Sequence, residues 1–244
     1  MFTAVRRAVS PRAKLLSVLT SATGLLGLAT LAGCGGGGGD SFNGGGGSAG
    51  LPTAKAVMSQ VSQGRAIVTA FGCVDCHSGG IDNPANAYWL SGYNPNLSTI
   101  QGVFQIGPGK VYAANLTPDA TTGLGQYTDR QIYNALKFGL DPGATPDLAI
   151  TATGSDPVPG QNGFPLNPQY LAPPMPWPSI RHHSDADLWA IVAYLKHGIK
   201  PVTNTVPASE DALDHQGWAT FYTDAAVGPT SLPAYPAGNE QFTP

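Results

Sequence analysis

The sequence predicts an all-α fold of few helices joined by long ordered loops. Three observations lead there. Two segments carry apolar residues at helical spacing, and a third opens on a capping box. The stretches 78–115 and 140–179 are rich in Gly, Pro, Asn and aromatics with no sustained period. Finally, the run Cys73-Val74-Asp75-Cys76-His77 supplies attachment chemistry for a large apolar group that such loops can wrap.

That run is C-x-x-C-H. Two thiols three residues apart add to the two vinyl groups of one haem, and the adjacent His77 reaches the iron as proximal ligand. It therefore codes for one covalently held haem c on Cys73, Cys76 and His77. The chain has three Cys, and the third, Cys34, has its own explanation, so no thiols remain for a zinc site of four cysteines or of paired cysteines and histidines. The competing readings are a chance match and a thioredoxin-like redox pair, which needs a βαβ setting that the sequence lacks.

The first helix is expected over about 55–71, with Val61, Gly64, Val68 and Phe71 on one face, delivering the chain into Cys73. Gly64 is costly inside a helix unless another backbone or ring packs closely on it. Thr128 with Gln131 forms a capping box before Ile132, Ala135 and Leu136, and Gly139 ends that helix. The last helix is capped by Ser184, with Asp185 and Asp187 in its first turn. Leu188, Ile191, Val192 and Leu195 follow at i, i+3, i+4 and i+7, and Gly198 and Pro201 stop it.

Residues 1–33 read as an export signal rather than as part of the fold. Arg6, Arg7, Arg12 and Lys14 form a basic region before an apolar stretch, Leu15 to Leu31, which is interrupted by Ser, Thr and Gly. Those interruptions weigh against a retained membrane helix. Leu31-Ala32-Gly33-Cys34 looks like a bacterial lipobox, in which cleavage leaves a lipidated N-terminal Cys34; the alternative is plain secretion with a spare thiol. Residues 34–50 are then the lipidated Cys and a Gly-rich flexible tether. The tether's sixteen residues after Cys34 have an r.m.s. reach of roughly 20–24 Å. Residues 51–244 form a single domain with an extended C-terminal tail. The expected location is the bacterial cell envelope, facing the periplasm or the exterior.

Removing 1–33 takes away four of the 12 Lys+Arg and none of the 15 Asp+Glu, leaving eight bases against fifteen acids and a formal charge of −7. An acidic protein with propionates added argues against nucleic acid or an anionic membrane surface as partner, and for a neutral or basic docking face.

The sixth iron position is expected to fall to Met175, in Pro173-Pro174-Met175-Pro176-Trp177-Pro178. Prolines stiffen that loop, so its thioether can serve both oxidation states with little rearrangement. The alternative is a core gap-filler. His182, His183 and His197 are rival ligands, each also readable as a surface or propionate-contacting residue. Asn115, in Asn115-Leu116-Thr117-Pro118-Asp119, is a candidate to fix a propionate or its covering loop, because a buried propionate needs rigid donors. The bland alternative is a surface turn leading to the Thr128 helix.

Together, Gln63-Gly64-Arg65, the C-x-x-C-H run, Asn115–Asp119 with Gly123-Leu124-Gly125, the Thr128 helix, Met175-Pro176-Trp177 and Ser184 to Leu195 resemble class I cytochromes c. Within that class they are most similar to the cytochrome subunits of membrane-bound alcohol, aldehyde and gluconate dehydrogenases. The resemblance covers about 60–200. It implies a class I cytochrome c-like fold in which Gly64 on the first helix packs against Ile191 and Tyr194 on the last. Those subunits carry three haem domains, whereas this chain has one motif. The loop 140–170 and the tail after Pro201 have no counterpart.

The leading functional expectation is a lipid-anchored, single-haem carrier of single electrons with His/Met ligation. Its partners would be a dehydrogenase, an oxidase or another cytochrome, with the membrane reached through the anchor and no nucleic acid involved. The alternatives are the cytochrome subunit of a periplasmic dehydrogenase complex and a haem-based gas or redox sensor. No Ser/His/Asp arrangement, phosphate-binding Gly loop or catalytic carboxylate pair is recognisable, so the chain is expected to carry electrons rather than act as an enzyme itself.

Overall fold

The structure is a computed structural model that describes residues 54–97, 102–151, 157–210, 213 and 217–241. The expected signal, Cys34 and the Gly-rich tether lie outside these residues. Among the described residues no helix is long and apolar enough to cross a membrane.

The core is built on the contact between α1 (Ala54–Ala70) and α5 (Asp185–Ala193). Gly64 is buried where they meet, and a Cβ on it would fall 1.9 Å from the Ala190 carbonyl oxygen and 2.9 Å from Tyr194 Cβ. Only a residue without a side chain lets the backbones approach this closely. Tyr194 is thus the expected partner, while the main chain of Ala190 takes the place foreseen for Ile191. Val68 packs with Leu188, Ile191 and Val192 in the same cluster. Phe71 lies beyond the helix end, 38% exposed, edge-on to His183 at 5.1 Å.

α5 starts as its sequence dictates. The Ser184 hydroxyl accepts from the Asp187 amide at 3.1 Å, and Asp187 in turn accepts from Gln63 Nε2 at 2.6 Å, tying the cap to α1. After Ala193 the helix widens into a π turn, Tyr194–Gly198, which the apolar spacing does not disclose. The third helix (α3, Asp129–Phe138) follows its capping box: Thr128 Oγ1 accepts from Gln131 N, and Gln131 Oε1 accepts from Thr128 N. It ends at Gly139 in the left-handed region, φ 70°. A Cβ there would lie 2.2 Å from the Trp177 ring, so Gly139 both ends α3 and admits the indole from α4 (Trp177–Ile180).

The all-α expectation needs correction. Within 78–115, read as loop, the chain forms an antiparallel hairpin of β1 (Val103–Ile106) and β2 (Gly109–Tyr112), in register Val103↔Tyr112 to Ile106↔Gly109. Its physical reason is a run of β-branched and aromatic residues on each side of Gly107-Pro108, a two-residue turn. Among the described residues helices outnumber strands, with much irregular chain between them.

The two segments without a recognised counterpart are ordered by long-range contacts. The 140–170 excursion is closed at its base by the Leu140↔Tyr170 bridge and by Leu171 N donating to Gly139 O at 2.7 Å. Phe138, Leu140 and Phe164 form a second small core beneath it. The tail runs back over the domain. Lys110 and Glu210 exchange backbone hydrogen bonds of 2.7 and 2.9 Å, and Trp218 and Val227 are buried farther on. A 3₁₀ turn (Gly217–Thr220) and a short α6 (Asp224–Val227) follow. Tyr222 meets Trp177 edge-on at 4.8 Å, while Tyr170 stacks on Trp177 at 5.7 Å.

Candidate haem site

The C-x-x-C-H run forms its own short helix, α2 (Cys73–His77), entered through Gly72 at φ 70°. Spacing of i and i+3 puts the two cysteines on one side of it, both as free, part-buried thiols, while Val74 and His77 turn into the protein and Asp75 stays exposed. Burial pushes the Cys73 thiol up to about 11, and burial followed by the Asp75 charge raises Cys76. A nucleophilic redox pair needs a lowered thiol pKa. Both thiols here shift the other way.

His77 is 9% exposed and its Nδ1 lies 2.7 Å from the Ala114 carbonyl oxygen. A carbonyl only accepts, so Nδ1 carries the proton and Nε2 keeps its lone pair. Burial holds the imidazole pKa below its ordinary value, which keeps the ring in the neutral form that ligates metals. Its main chain is pinned too: Gly92 N donates to His77 O at 2.8 Å, and Ser78 Oγ accepts from Leu90 N at 2.8 Å. Leu90, fully buried, sits at φ 58°, a conformation that a leucine holds only where its surroundings impose it.

Met175 is part-buried and packs against the apolar cluster that also receives Cys73 and contains Val74. Two thiols, a neutral imidazole with Nε2 available, and a thioether bordering one apolar body fit the chemistry of a covalently held haem. His197 is exposed on the π turn, His183 lies against Phe71 with Nδ1 3.9 Å from Asp187, and His182 is part-buried.

Asn115 does not sit on a surface turn. It is 3% exposed, and its amide is committed within the protein. Nδ2 donates to Val202 O at 2.8 Å and Thr122 Oγ1 at 3.1 Å, and Oδ1 accepts from Thr117 N at 2.9 Å and Thr117 Oγ1 at 2.7 Å. The side chain thus ties the 115–122 loop to the tail, and its two donor hydrogens are already placed. Ser78, Ala114 and Asn204, which organise the surroundings of His77, carry no motif that the sequence could reveal.

No protein-family model matches the chain. Curated relatives do. The chain is 30% identical over 142 residues to the gluconate 2-dehydrogenase cytochrome c subunit of Pantoea cypripedii, covering 58% of this chain and 24% of that one. It is 28% identical over 156 residues to the alcohol dehydrogenase (quinone) cytochrome c subunit of Gluconacetobacter polyoxogenes, covering 64% and 25%. It is 27% identical over 157 residues to the fructose dehydrogenase cytochrome subunit of Gluconobacter japonicus, again covering 64% and 25%. The chain thus spans about a quarter of the length of the curated relatives it matches. Over more than half its length the chain is similar to the cytochrome c subunits of gluconate, alcohol and fructose dehydrogenases.

Proposed function

We propose that this protein is a c-type cytochrome of class I fold that carries single electrons in the bacterial envelope, in which Cys73 and Cys76 would hold one haem, His77 and Met175 would bind its iron, and Cys34 would carry the lipid anchor. The observation that carries the reading is the His77 imidazole, buried, neutral and oriented by the Ala114 carbonyl, directly after two thiols on the same helix. A haem held there supplies a reversible one-electron couple. The chain's own residues do the rest. Ala114 fixes the tautomer of His77, and Val74 anchors the attachment helix in the cluster that holds Val68 and Leu188. The proline-bracketed loop limits movement of Met175.

The names of the relatives favour a dehydrogenase as electron donor, so service as an electron-transfer subunit of such a complex is part of the proposal. The acidic mature chain suits a basic docking face on that partner. The deciding experiment is expression in a host with a cytochrome c maturation system, followed by a pyridine haemochrome spectrum and an intact mass. One covalent haem per chain, lost in Cys73→Ala/Cys76→Ala, is expected; a haem-free wild-type chain would end this reading.

A further inference from the structure

We propose that Asn204, in the tail that follows the last long helix, is a positioning residue for His77, holding its ring through the two loops that flank it; this rests on the ligand role of His77 proposed above.

The side-chain amide of Asn204 has two N–H bonds and uses both on main-chain carbonyls, Ser91 O at 2.8 Å and Tyr93 O at 2.9 Å. Those carbonyls bracket Gly92, whose N–H donates to His77 O at 2.8 Å. The same loop lies directly on the segment that orients the imidazole. Tyr93 N donates to Ala113 O at 2.9 Å, Leu116 N donates to Leu90 O at 2.9 Å, and a Cβ on Gly92 would come within 2.7 Å of the Ala114 carbonyl carbon. Any shift of 91–93 is therefore passed by contact to the Ala114 peptide, whose oxygen accepts the His77 Nδ1 proton at 2.7 Å. The backbone of Asn204 grips the second loop as well, donating to Thr122 Oγ1 at 3.0 Å, the hydroxyl that also accepts from Asn115.

An uncharged amide suits this position for a chemical reason. Two carbonyls facing one side chain require two donors in one plane, and a part-buried site disfavours supplying them with a full charge. Alanine leaves both carbonyls without this partner, aspartate turns oxygens towards them, and serine offers one donor. The bond from His77 to Ala114 sets how strongly the imidazole donates to the metal, and that donation favours the ferric state. Loosening the Ala114 carbonyl should therefore raise the midpoint potential.

The test uses the haem-loaded protein and reads two quantities: the solvent exchange rate of the His77 Nδ1 proton in the ferrous state by NMR, and the midpoint potential. In Asn204→Ala the exchange should quicken by a factor on the order of five, the scale of one lost neutral hydrogen bond, and the potential should rise. Asn204→Asp should exceed it and Asn204→Ser should fall between it and wild type, which keeps the series readable if one variant folds poorly. Thr203→Val is the control. It removes the neighbouring tail contact to Asp119 without touching Ser91 or Tyr93, so it should lower stability and leave exchange and potential as in wild type. Unchanged exchange and potential in Asn204→Ala, or equal shifts in Thr203→Val, would overturn the assignment. The haemochrome test judges the electron-transfer reading on wild type alone, so the two proposals fail separately.

Discussion

Gly64 and Ala190 are in backbone contact: the space that a Cβ would occupy on the first is already filled by the carbonyl oxygen of the second. The contact joins α1 to α5, and the attachment helix hangs from the end of α1. Gly64→Ala must then push the helices apart or distort α1, although alanine is intrinsically the better helix former. The expected loss is about 2–4 kcal/mol in urea unfolding, with a lower yield of haem-loaded protein. A variant as stable as wild type would mean that the two helices do not meet here.

Met175→Ala should retain the covalent haem, since Cys73 and Cys76 are untouched, but lose the near-infrared-edge absorption band of a thioether bound to ferric iron. Its potential should fall, because a soft thioether favours the ferrous state. Persistence of that band in the variant would assign the sixth position to another residue.

Cys34→Ser should leave haem content unchanged and move the protein from the membrane fraction to the soluble fraction, or arrest it before signal cleavage. Fractionation with carbonate washing reads the outcome. Wild-type protein found entirely soluble would rule out the anchor.

Asn115→Ala removes a buried amide whose donors serve Val202 and Thr122 and whose acceptor serves Thr117. The expectation is a loss of about 2–4 kcal/mol of stability. Haem should be retained, because no attachment residue changes. A shift of potential with no change in the unfolding midpoint would instead favour the propionate role for Asn115.

The Asp119 carboxylate accepts five hydrogen bonds: from the hydroxyls and amides of Thr121 and Thr122, and from the Thr203 hydroxyl. The Thr121 hydroxyl contributes most to holding its carboxyl far below the ordinary value of 3.8, followed by the amide and then the hydroxyl of Thr122. A depressed carboxylate stabilises the fold fully above the unfolded-state pKa, and that contribution fades as pH falls below it. Unfolding midpoints measured downward from pH 5 should therefore decline less steeply in Asp119→Asn than in wild type. Parallel curves would show that these bonds do not couple to folding.

What the sequence discloses and what it hides divide along the range of the interaction. The capping box at Thr128, the stop at Gly139 and the cap at Ser184 each depend on residues within one turn, and the chain announces them. The C-x-x-C-H run is local as well. Partners of His77 and Asn115 are different, because Ala114 is 37 positions from His77 and Val202 is 87 from Asn115. Asn204 meets Ser91 across 113 positions. No periodicity records such pairings. The hairpin was hidden for another reason: strands of four residues beside glycines and a proline read as irregular chain when judged by composition over a long window.

The single rung between Lys110 and Glu210 has a consequence for the protein's behaviour at high concentration. A two-stranded hairpin offers outward-facing amides and carbonyls along each edge, to which a neighbouring molecule can add a strand. On the β2 side the tail already fills one such position, reinforced by the Lys110–Glu210 ion pair at 3.4 Å and by the Tyr112 hydroxyl donating to the Glu210 carboxylate. At Lys110 the tail thus occupies the edge position that a neighbouring molecule's strand would need.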